Sequence, residues 1–572
     1  ATTNAVASDL TTISGRVGSE TLNLSGTGTI ASKNVGPNKA VSVGTLALAD
    51  GSNGGLASNY TLSGGTHQLT VNKRPLNATL ARQYDGTTTS AGSDLSSFDA
   101  LQGGETLTLS GSGTAANDNV ANGISVSSLG TLALVNGTGL ASNYSLNSAS
   151  LNITERVLNS SGSKTYDANT NALAADISLT NLVVGETLNH SGTAAISSAN
   201  AGSYTITNLA GISLADNTGL ASNYTLTGGT HNFTVNPKVI SLSGTRLYDA
   251  TTNAVASDLT TISGRVGAET LNLSGTGTLS DANVAPNKTV GLGTLALGDG
   301  TGLASNYTLS GGTHQLTVDP RPLNATLARQ YDGTTTSAGS DLSSFDALQG
   351  GETLTLSGSG TSASANVANG IAMSSNGDLA LVDGTGLASN YSLNSTVINI
   401  TQRILNSSGS KFYDANTNAL DADISLSNLV SGELLNHSGT ATISSANVGS
   451  YTITNLAGIT ITNGVGGTAS NYTLTGGTHS FTVNPKVVSI QGNKIYDGNT
   501  TLSSGDITSI TDTVGAETLV ISSGSGTISS ANVGTYFSAN ISEGTLTLGN
   551  GTNGGLASNY TLTGHGSSTF QI

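Results

Sequence analysis

The sequence predicts an all-β chain: a tandem array of about seven small β-sandwich or β-grasp-like modules of ~82 residues, forming an elongated rod. Three observations carry this. Tyr84-Asp85, Tyr166-Asp167, Tyr248-Asp249, Tyr331-Asp332, Tyr413-Asp414 and Tyr496-Asp497 recur every 82 or 83 residues. Between them run short apolar/polar alternations, punctuated by Gly, Asn and Asp about every 8–12 residues. No stretch sustains a 3.6-residue apolar period. A continuous β-solenoid is the alternative architecture, since four coils of about 20 residues would fill one period, but no self-similarity at that spacing is visible.

Each element can be read from the module that opens at Pro237. KVISLSGTRLYDATTNAV is β-branched and alternating, which predicts one long strand or two. A short helical turn after Tyr-Asp is compatible with it. GAETLNLSGTGTL alternates again and carries Glu269. The DANVAPNK segment turns around Asn283, TVGLGTLAL forms a strand, and GDGTGLAS turns into NYTLSGG at Asn306-Tyr307. HQLTV closes the module. Every landmark recurs. The glutamates are Glu20, Glu105, Glu186, Glu269, Glu352, Glu433 and Glu517. The turn asparagines are Asn34, Asn119, Asn200, Asn283, Asn366, Asn447 and Asn532. The second tyrosines are Tyr60, Tyr144, Tyr224, Tyr307, Tyr391, Tyr472 and Tyr560.

The modules fall at 1–72, a partial type A without its first strand; 73–154, type B; 155–236, type C; 237–319, A; 320–401, B; 402–484, C; and 485–572, A-like. Arg74–Thr114 and Arg321–Thr361 are identical, so a three-module unit has itself been duplicated. The first copy begins where Ala250 does, just past a Tyr-Asp pair. Its opening strand is expected to precede it in a longer chain, or to be supplied by another chain. Five of the seven prolines sit in the short junctions, where a fixed φ stiffens the connection.

Composition narrows the function. Charged residues are only 9%, Gly contributes 75 of 572 residues, and there is no Cys or Trp. Thiolate nucleophiles, disulfides and Cys-based metal sites are excluded. A net charge of −16 with no basic cluster argues against nucleic acid, and no apolar run approaches the ~20 residues of a membrane span. Ser, Thr, Asn and Gly cover such a surface, which is unusual for a cytosolic enzyme and common in exported bacterial surface proteins.

Candidate chemistry is thin. A base stands two residues before each Tyr-Asp: Arg82, Lys164, Arg246, Arg329, Lys411 and Lys494. With the glutamates these suggest a carboxylate pair, but Lys and Arg are chemically distinct, and their interchange favours a structural hydrogen-bond set within one module. The same interchange argues against a Lys–Asn isopeptide bond. The loops at Asp50, Asn136, Asp216, Asp299, Asp383, Asn463 and Asn550 resemble calcium loops only faintly, because Asp alternates with Asn. His67, His190, His231, His314, His437, His479 and His565 are scattered about one per module. Asn-Tyr-Thr and Asn-Tyr-Ser match glycosylation sequons, but a turn asparagine before an anchoring tyrosine explains them more simply. No catalytic residue, cofactor or metal site is expected. The structural signature is Tyr84, Asp85, Tyr166, Asp167, Tyr248, Asp249, Tyr331, Asp332, Tyr413, Asp414, Tyr496, Asp497 and the seven second tyrosines, with the rings filling small Trp-free cores.

KIYDGNTT at Lys494, SSANVGTY at Ser529 and ASNYTLTG at Ala557 occur in this order in every complete copy, with small variations. The pattern resembles the YDG/MBG-type repeat of filamentous-haemagglutinin-like adhesins of Gram-negative bacteria. One departure is Ala168, Ala250 and Ala415 where the pattern has Gly, which relaxes any demand for positive φ there. The resemblance implies a non-enzymatic, extracellular or cell-surface protein: a stalk or filament segment supporting adhesion, cell–cell contact or biofilm. Neighbouring modules and like chains are the expected partners. A multivalent array binding glycans or surfaces weakly is the alternative.

Overall fold

Alternation along the chain becomes, in each complete copy, a mixed sheet whose first and last strands run side by side in parallel. The computed structural model describes residues 2–563 and 566–572. Ala1 and His565 of the sequence reading therefore lie outside the described residues. The chain divides into two compact units: Ala1–Leu242, Val255–Thr276 and Leu292–His314 form one, and Ser243–Ala254, Gly277–Gly291 and Gln315–Ile572 the other. Each is described by itself.

In the first unit, the module at 155–236 shows the plan. Its strands are β1 (Arg156–Val157), β2 (Asn159–Thr165), β3 (Asn171–Leu173), β4 (Ile177–Thr180), β5 (Asn189–Ile196), β6 (Gly202–Asn208), β7 (Ile212–Ala215), β8 (Tyr224–Thr225) and β9 (His231–Asn236). The sheet order is β3-β5-β6-β9-β2-β4, with β7 paired to β5. β2 and β9 are parallel, Gly162 opposite Phe233, and β1 lies parallel to β8. Parallel neighbours need a long crossover, and β3 to β8 supply it. In β9, His231, Phe233 and Val235 point inward while Asn232 and Asn236 are exposed, the period of two read from sequence. Burying a ring such as Phe233 contributes about 1.5–3 kcal/mol.

Type B copies fuse these pieces. Arg74–Gln83 runs parallel to Tyr144–Thr154, and in the second unit Arg321–Gln330 runs parallel to Tyr391–Thr401. The chain is thus an all-β series of tandem modules. It is no continuous solenoid, because each opening strand returns to pair with the closing strand of its own copy. Among the described residues there is no α-helix. Single 3-10 turns stand where a helical turn was compatible, as at Ala174–Asp176, and also before each second tyrosine, as at Ala221–Asn223. In the partial first copy the sheet has four strands, with no opening strand among them.

Only Glu155 separates Thr154, the last residue of one module's closing strand, from β1 of the next. Hydrophobic cores consequently run on from copy to copy. One cluster joins Leu80, Leu151 and Tyr84 to Leu188 and Tyr224; another, in the second unit, joins Phe481 and Tyr413 to Tyr560 and Phe570.

Candidate functional site

The repeated signature divides into a local half and a long-range half. Locally, the base reaches across the turn that follows Tyr-Asp. Lys164 Nζ lies 2.8 Å from the Asp167 carboxylate and donates to the carbonyls of Asn169 at 2.7 Å and Asn171 at 2.8 Å. Lys411 repeats the set with Asp414, Asn416 and Asn418. The arginine copies do the same with fewer atoms to spare: Arg246 pairs with Asp249 at 3.0 Å and donates to the Thr251 carbonyl at 2.6 Å. Each lysine copy has Asn five residues on, whose Oδ1 accepts from the ammonium, as in Asn416 at 3.0 Å; each arginine copy has Thr there. A long guanidinium with a short Thr, or a shorter ammonium with a longer Asn, spans the same gap. That complementarity explains the Lys/Arg interchange.

Past the aspartate, the chain turns through a left-handed residue. Its φ is 72°, 80° and 77° at Gly86, Gly333 and Gly498, and 63°, 62° and 65° at Ala168, Ala250 and Ala415. The alanines therefore do not relax the turn, contrary to the sequence expectation. They adopt it at a steric cost of about 1–2 kcal/mol, which the surrounding hydrogen bonds hold in place.

The tyrosine itself works on the next copy. In the first unit, Tyr84 Oη donates to Glu186 Oε1 at 2.6 Å, and Tyr224 Oη donates to Oε2 of the same glutamate at 2.7 Å. Tyr166 and Tyr307 share Glu269 in the same way, both at 2.6 Å. In the second unit, Tyr248 and Tyr391 share Glu352, Tyr331 and Tyr472 share Glu433, and Tyr413 and Tyr560 share Glu517, at 2.5–2.7 Å. Each ring pair meets edge to face, with centroids 5.2–5.4 Å apart. Such a pair contributes about 0.5–1.5 kcal/mol beyond its buried area. The glutamate was expected to pair within its own module. It does so with the second tyrosine, and by also accepting from the Tyr-Asp tyrosine of the preceding copy it becomes the shared acceptor of a joint between modules.

A second clamp lies beside the first. Asn223 Oδ1 accepts the Val120 N–H at 2.9 Å, and its Nδ2 donates to Asn119 Oδ1 at 3.0 Å. Asn143, Asn306, Asn390, Asn471 and Asn559 repeat both bonds with Asn34, Asn200, Asn283, Asn366 and Asn447 of the preceding copies. Junction arginines add a third bond: Arg156, Arg321 and Arg403 donate to the carbonyls of Tyr84, Tyr248 and Tyr331. The Asn-Tyr landmark and the turn asparagine were visible in the sequence, but their mutual pairing was not.

The outermost copies act as internal controls. Tyr84, Tyr166, Tyr248, Tyr331 and Tyr413 are only 3–5% exposed, whereas Tyr496, which packs against no second tyrosine among the described residues, is 60% exposed. Tyr60 Oη donates to Glu20 and accepts the Val17 N–H, and the ring is only partly buried. Tyr496 thus corrects the expectation that every signature ring fills its own core: burial comes from the neighbouring module. The YDG domain sequence pattern matches residues 1–70, 66–153, 151–233, 231–317, 313–398, 399–480 and 481–569. The chain belongs to the YDG domain family. No curated protein matched it.

Most of the remaining candidates in these YDG domains have structural partners. In the calcium-like loops, Asp50, Asn136, Asp216, Asp299, Asp383, Asn463 and Asn550 each use Oδ1 to accept the N–H of the alanine that opens the next 3-10 turn. An acceptor is all that is needed, so Asp and Asn interchange. Among the described residues no cluster of three metal-ligating side chains forms. His67, His231, His314 and His479 each place Nε2 on a leucine carbonyl five residues back, at 2.7–2.8 Å, and His190 caps the turn at Ala174. The sequon asparagines Asn223, Asn306, Asn390, Asn471 and Asn559 are buried with both ends engaged, which leaves a glycan no room there; Asn143 is half-buried and Asn59 exposed. Burial pushes the joint tyrosines up, most strongly with help from the glutamate; Tyr166, Tyr224, Tyr391, Tyr413 and Tyr472 rise to about 12. A hydrogen bond from Lys494 holds the Asp497 carboxyl below its ordinary range.

Proposed function

We propose that this tandem YDG array is the stalk or spacer segment of a secreted bacterial surface adhesin or extracellular filament, non-enzymatic and presented outside a Gram-negative cell. One observation carries the reading: the Tyr–Glu–Tyr joint, rebuilt five times from the residues that define the repeat. A binding or catalytic signature faces solvent or a cleft. This one is spent on fixing each module against the next, with paired hydroxyls, an edge-to-face ring contact and a junction of a single residue. Such a joint resists bending and sets the spacing of whatever the ends carry. The uncharged polar surface suits close packing among like chains. Adhesion, cell–cell contact and biofilm support are the roles such a spacer serves, and the tyrosines left for weak glycan binding are few.

The test is a deletion in register. Removing Glu155–Thr401 joins the B module at 73–154 to the C module at 402–484, a B–C junction that already occurs in the chain. Displayed on a cell with an epitope at its far end, the shortened array should fold normally and bring the epitope closer to the surface. An epitope whose height is unchanged would overturn the stalk reading.

A further inference from the structure

Tension on this chain falls on one pair of strands in each complete copy. In the module at 155–236, the opening strand β2 and the closing strand β9 lie side by side and parallel, with Ser160 to Thr165 in register with His231 to Asn236. β1 and β8 extend the pairing by two residues, Arg156 with Tyr224 and Val157 with Thr225. The chain enters the module at the start of this pair and leaves at its end. Glu155 alone joins it to the closing strand before it, and Pro237 alone separates Asn236 from the next strand, Lys238–Val239. A pull along the chain therefore draws β2 and β9 lengthwise in opposite directions. Residues 167–223 connect the two and stay off the load path until the pair gives way.

The bonds that cross this pair are placed to break together. In a parallel ladder they are evenly spaced and slanted. A lengthwise pull strains all of them at once, whereas a pull across one end opens them one at a time. Leu158, Ser160 and Tyr166 donate their N–H groups to the carbonyls of Thr225, Thr230 and Asn236 at 2.8, 3.0 and 2.9 Å. In the second unit Leu405, Ser407 and Tyr413 repeat the three bonds with Thr473, Thr478 and Asn484 at the same distances. Neither strand is an edge: β4 pairs with the far side of β2, and β6 with that of β9. Leu158, Phe233 and Val235 are at most 1% exposed, so water has little access to replace a strained bond. In type B copies the pair is longer, with one bulge. Ten residues of Arg74–Gln83 stand in register with ten of Tyr144–Thr154, and Arg321–Gln330 repeats this with Tyr391–Thr401.

We propose that the B and C modules are tension-bearing links: each stays folded under a pull along the chain because its opening and closing strands form a clamp loaded in shear. Such resistance belongs to the barrier to unfolding rather than to the equilibrium stability, since forced unfolding is governed by the unfolding rate. A module of modest stability can therefore carry load. The signature tyrosine is part of the clamp. Its N–H takes the last carbonyl of the closing strand, Tyr166 on Asn236 and Tyr84 on Thr154, both at 2.9 Å, while its hydroxyl bonds the glutamate of the next copy. The residue that marks each copy thus ties the end of its clamp to the following module. The load itself comes from the stalk reading, on which the inference rests: a spacer between a cell and what it holds is pulled whenever the two are drawn apart.

The test pulls one C module of the full chain in two directions by single-molecule force spectroscopy. The sequence has no Cys, so introduced cysteines alone take the handles. Ser161→Cys with Asn236→Cys loads β2 and β9 lengthwise. Ser161→Cys with Asn232→Cys loads the same strands across one end, since these two residues face each other in register. All three positions are exposed. Both pulls should release roughly 25 nm in one step, the reach of about 75 residues at ~3.4 Å each. At equal loading rate the lengthwise pull should need a several-fold higher force. Ser408→Cys with Asn484→Cys or with Ser480→Cys repeats the comparison in the other C copy, should the first set fail to fold. Equal forces in the two directions, or a lengthwise pull that extends the module gradually without a step, would overturn the proposal. Equal forces with an epitope still lowered by the shortened array would leave the stalk standing without its clamp. A several-fold ratio with an unmoved epitope would keep the clamp and remove the stalk.

Discussion

Replacing Glu186 with Ala should open one joint and leave both adjoining sheets intact. The carboxylate accepts from Tyr84 at 2.6 Å and Tyr224 at 2.7 Å, and both rings are buried. A hydrogen bond to a charged group contributes about 1.5–3 kcal/mol, and a buried partner left unmade carries its own desolvation penalty. Water entering at the partly exposed glutamate offsets some of this, so the joint should lose about 2–4 kcal/mol of local stability. By the rule of 1.4 kcal/mol per tenfold, that is roughly a 30- to 700-fold rise in opening. Hydrogen exchange on the full chain reads it directly. Two amides report on the joint: Val183 N–H donates to Tyr224 Oη, and Val120 N–H to Asn223 Oδ1. Both should exchange faster, while the amides that pair β2 with β9 should hold their protection. If exchange instead rises throughout β2 and β9, the glutamate is a core residue of its own module; if Val183 is unmoved, the joint does not depend on it. Tyr248→Ala should likewise release the joint to Glu352, rather than unfold one isolated core.

Alkali should loosen the joints in a defined window. The folded tyrosines titrate above the ordinary value near 10, with Tyr166 and Tyr472 at about 12, so their protonated form stabilises the fold. That contribution is complete below about pH 10 and is lost as pH rises through about 12; melting temperature followed from pH 8 upward checks it, and a flat profile to pH 12 would refute it. Ala168→Gly or Ala250→Gly should raise stability by about 0.5–1 kcal/mol, because each relieves a left-handed alanine; a loss on denaturant unfolding would contradict the strain. Lys411→Arg alone should cost about 1 kcal/mol and Lys411→Arg with Asn416→Thr less, the pair coupling favourably in a double-mutant cycle; strict additivity would remove the size-complementarity argument. Intact mass should equal that of the sequence with no loss of ammonia, since Lys164, Lys411 and Lys494 are held as ammonium donors by several oxygens; a deficit confined to these three copies would show Lys–Asn crosslinks.

Much of the fold was legible beforehand. The Tyr-Asp spacing marked the modules, alternations such as GAETLNLSGTGTL marked the strands, and the missing first strand of copy one could be read by laying Ala1 on Ala250. The turn after Tyr-Asp was misread, because an alanine in a glycine position looks like tolerance. Only the dihedrals, 62° at Ala250 against 80° at Gly333, show that the backbone is the same. The Asp/Asn and Lys/Arg interchanges were read as evidence against chemistry. Their cause, an acceptor for one N–H and a gap of fixed width, needed atoms.

What the sequence determined is local: strands from alternation, turns from Gly, Asn and Asp, and copies from their period. What only the tertiary structure decided is which copy each landmark serves. Glu186 stands 38 residues before Tyr224 and 102 after Tyr84. Every copy carries the same glutamate and the same two tyrosines, so sequence cannot distinguish a bond within a module from one between modules. The chain resolves that degeneracy in space. A one-residue junction brings the end of one opening strand against the next module, and burial of two rings on one carboxylate then selects the neighbour. Tyr496, exposed to 60%, shows that a module does not bury its own signature ring.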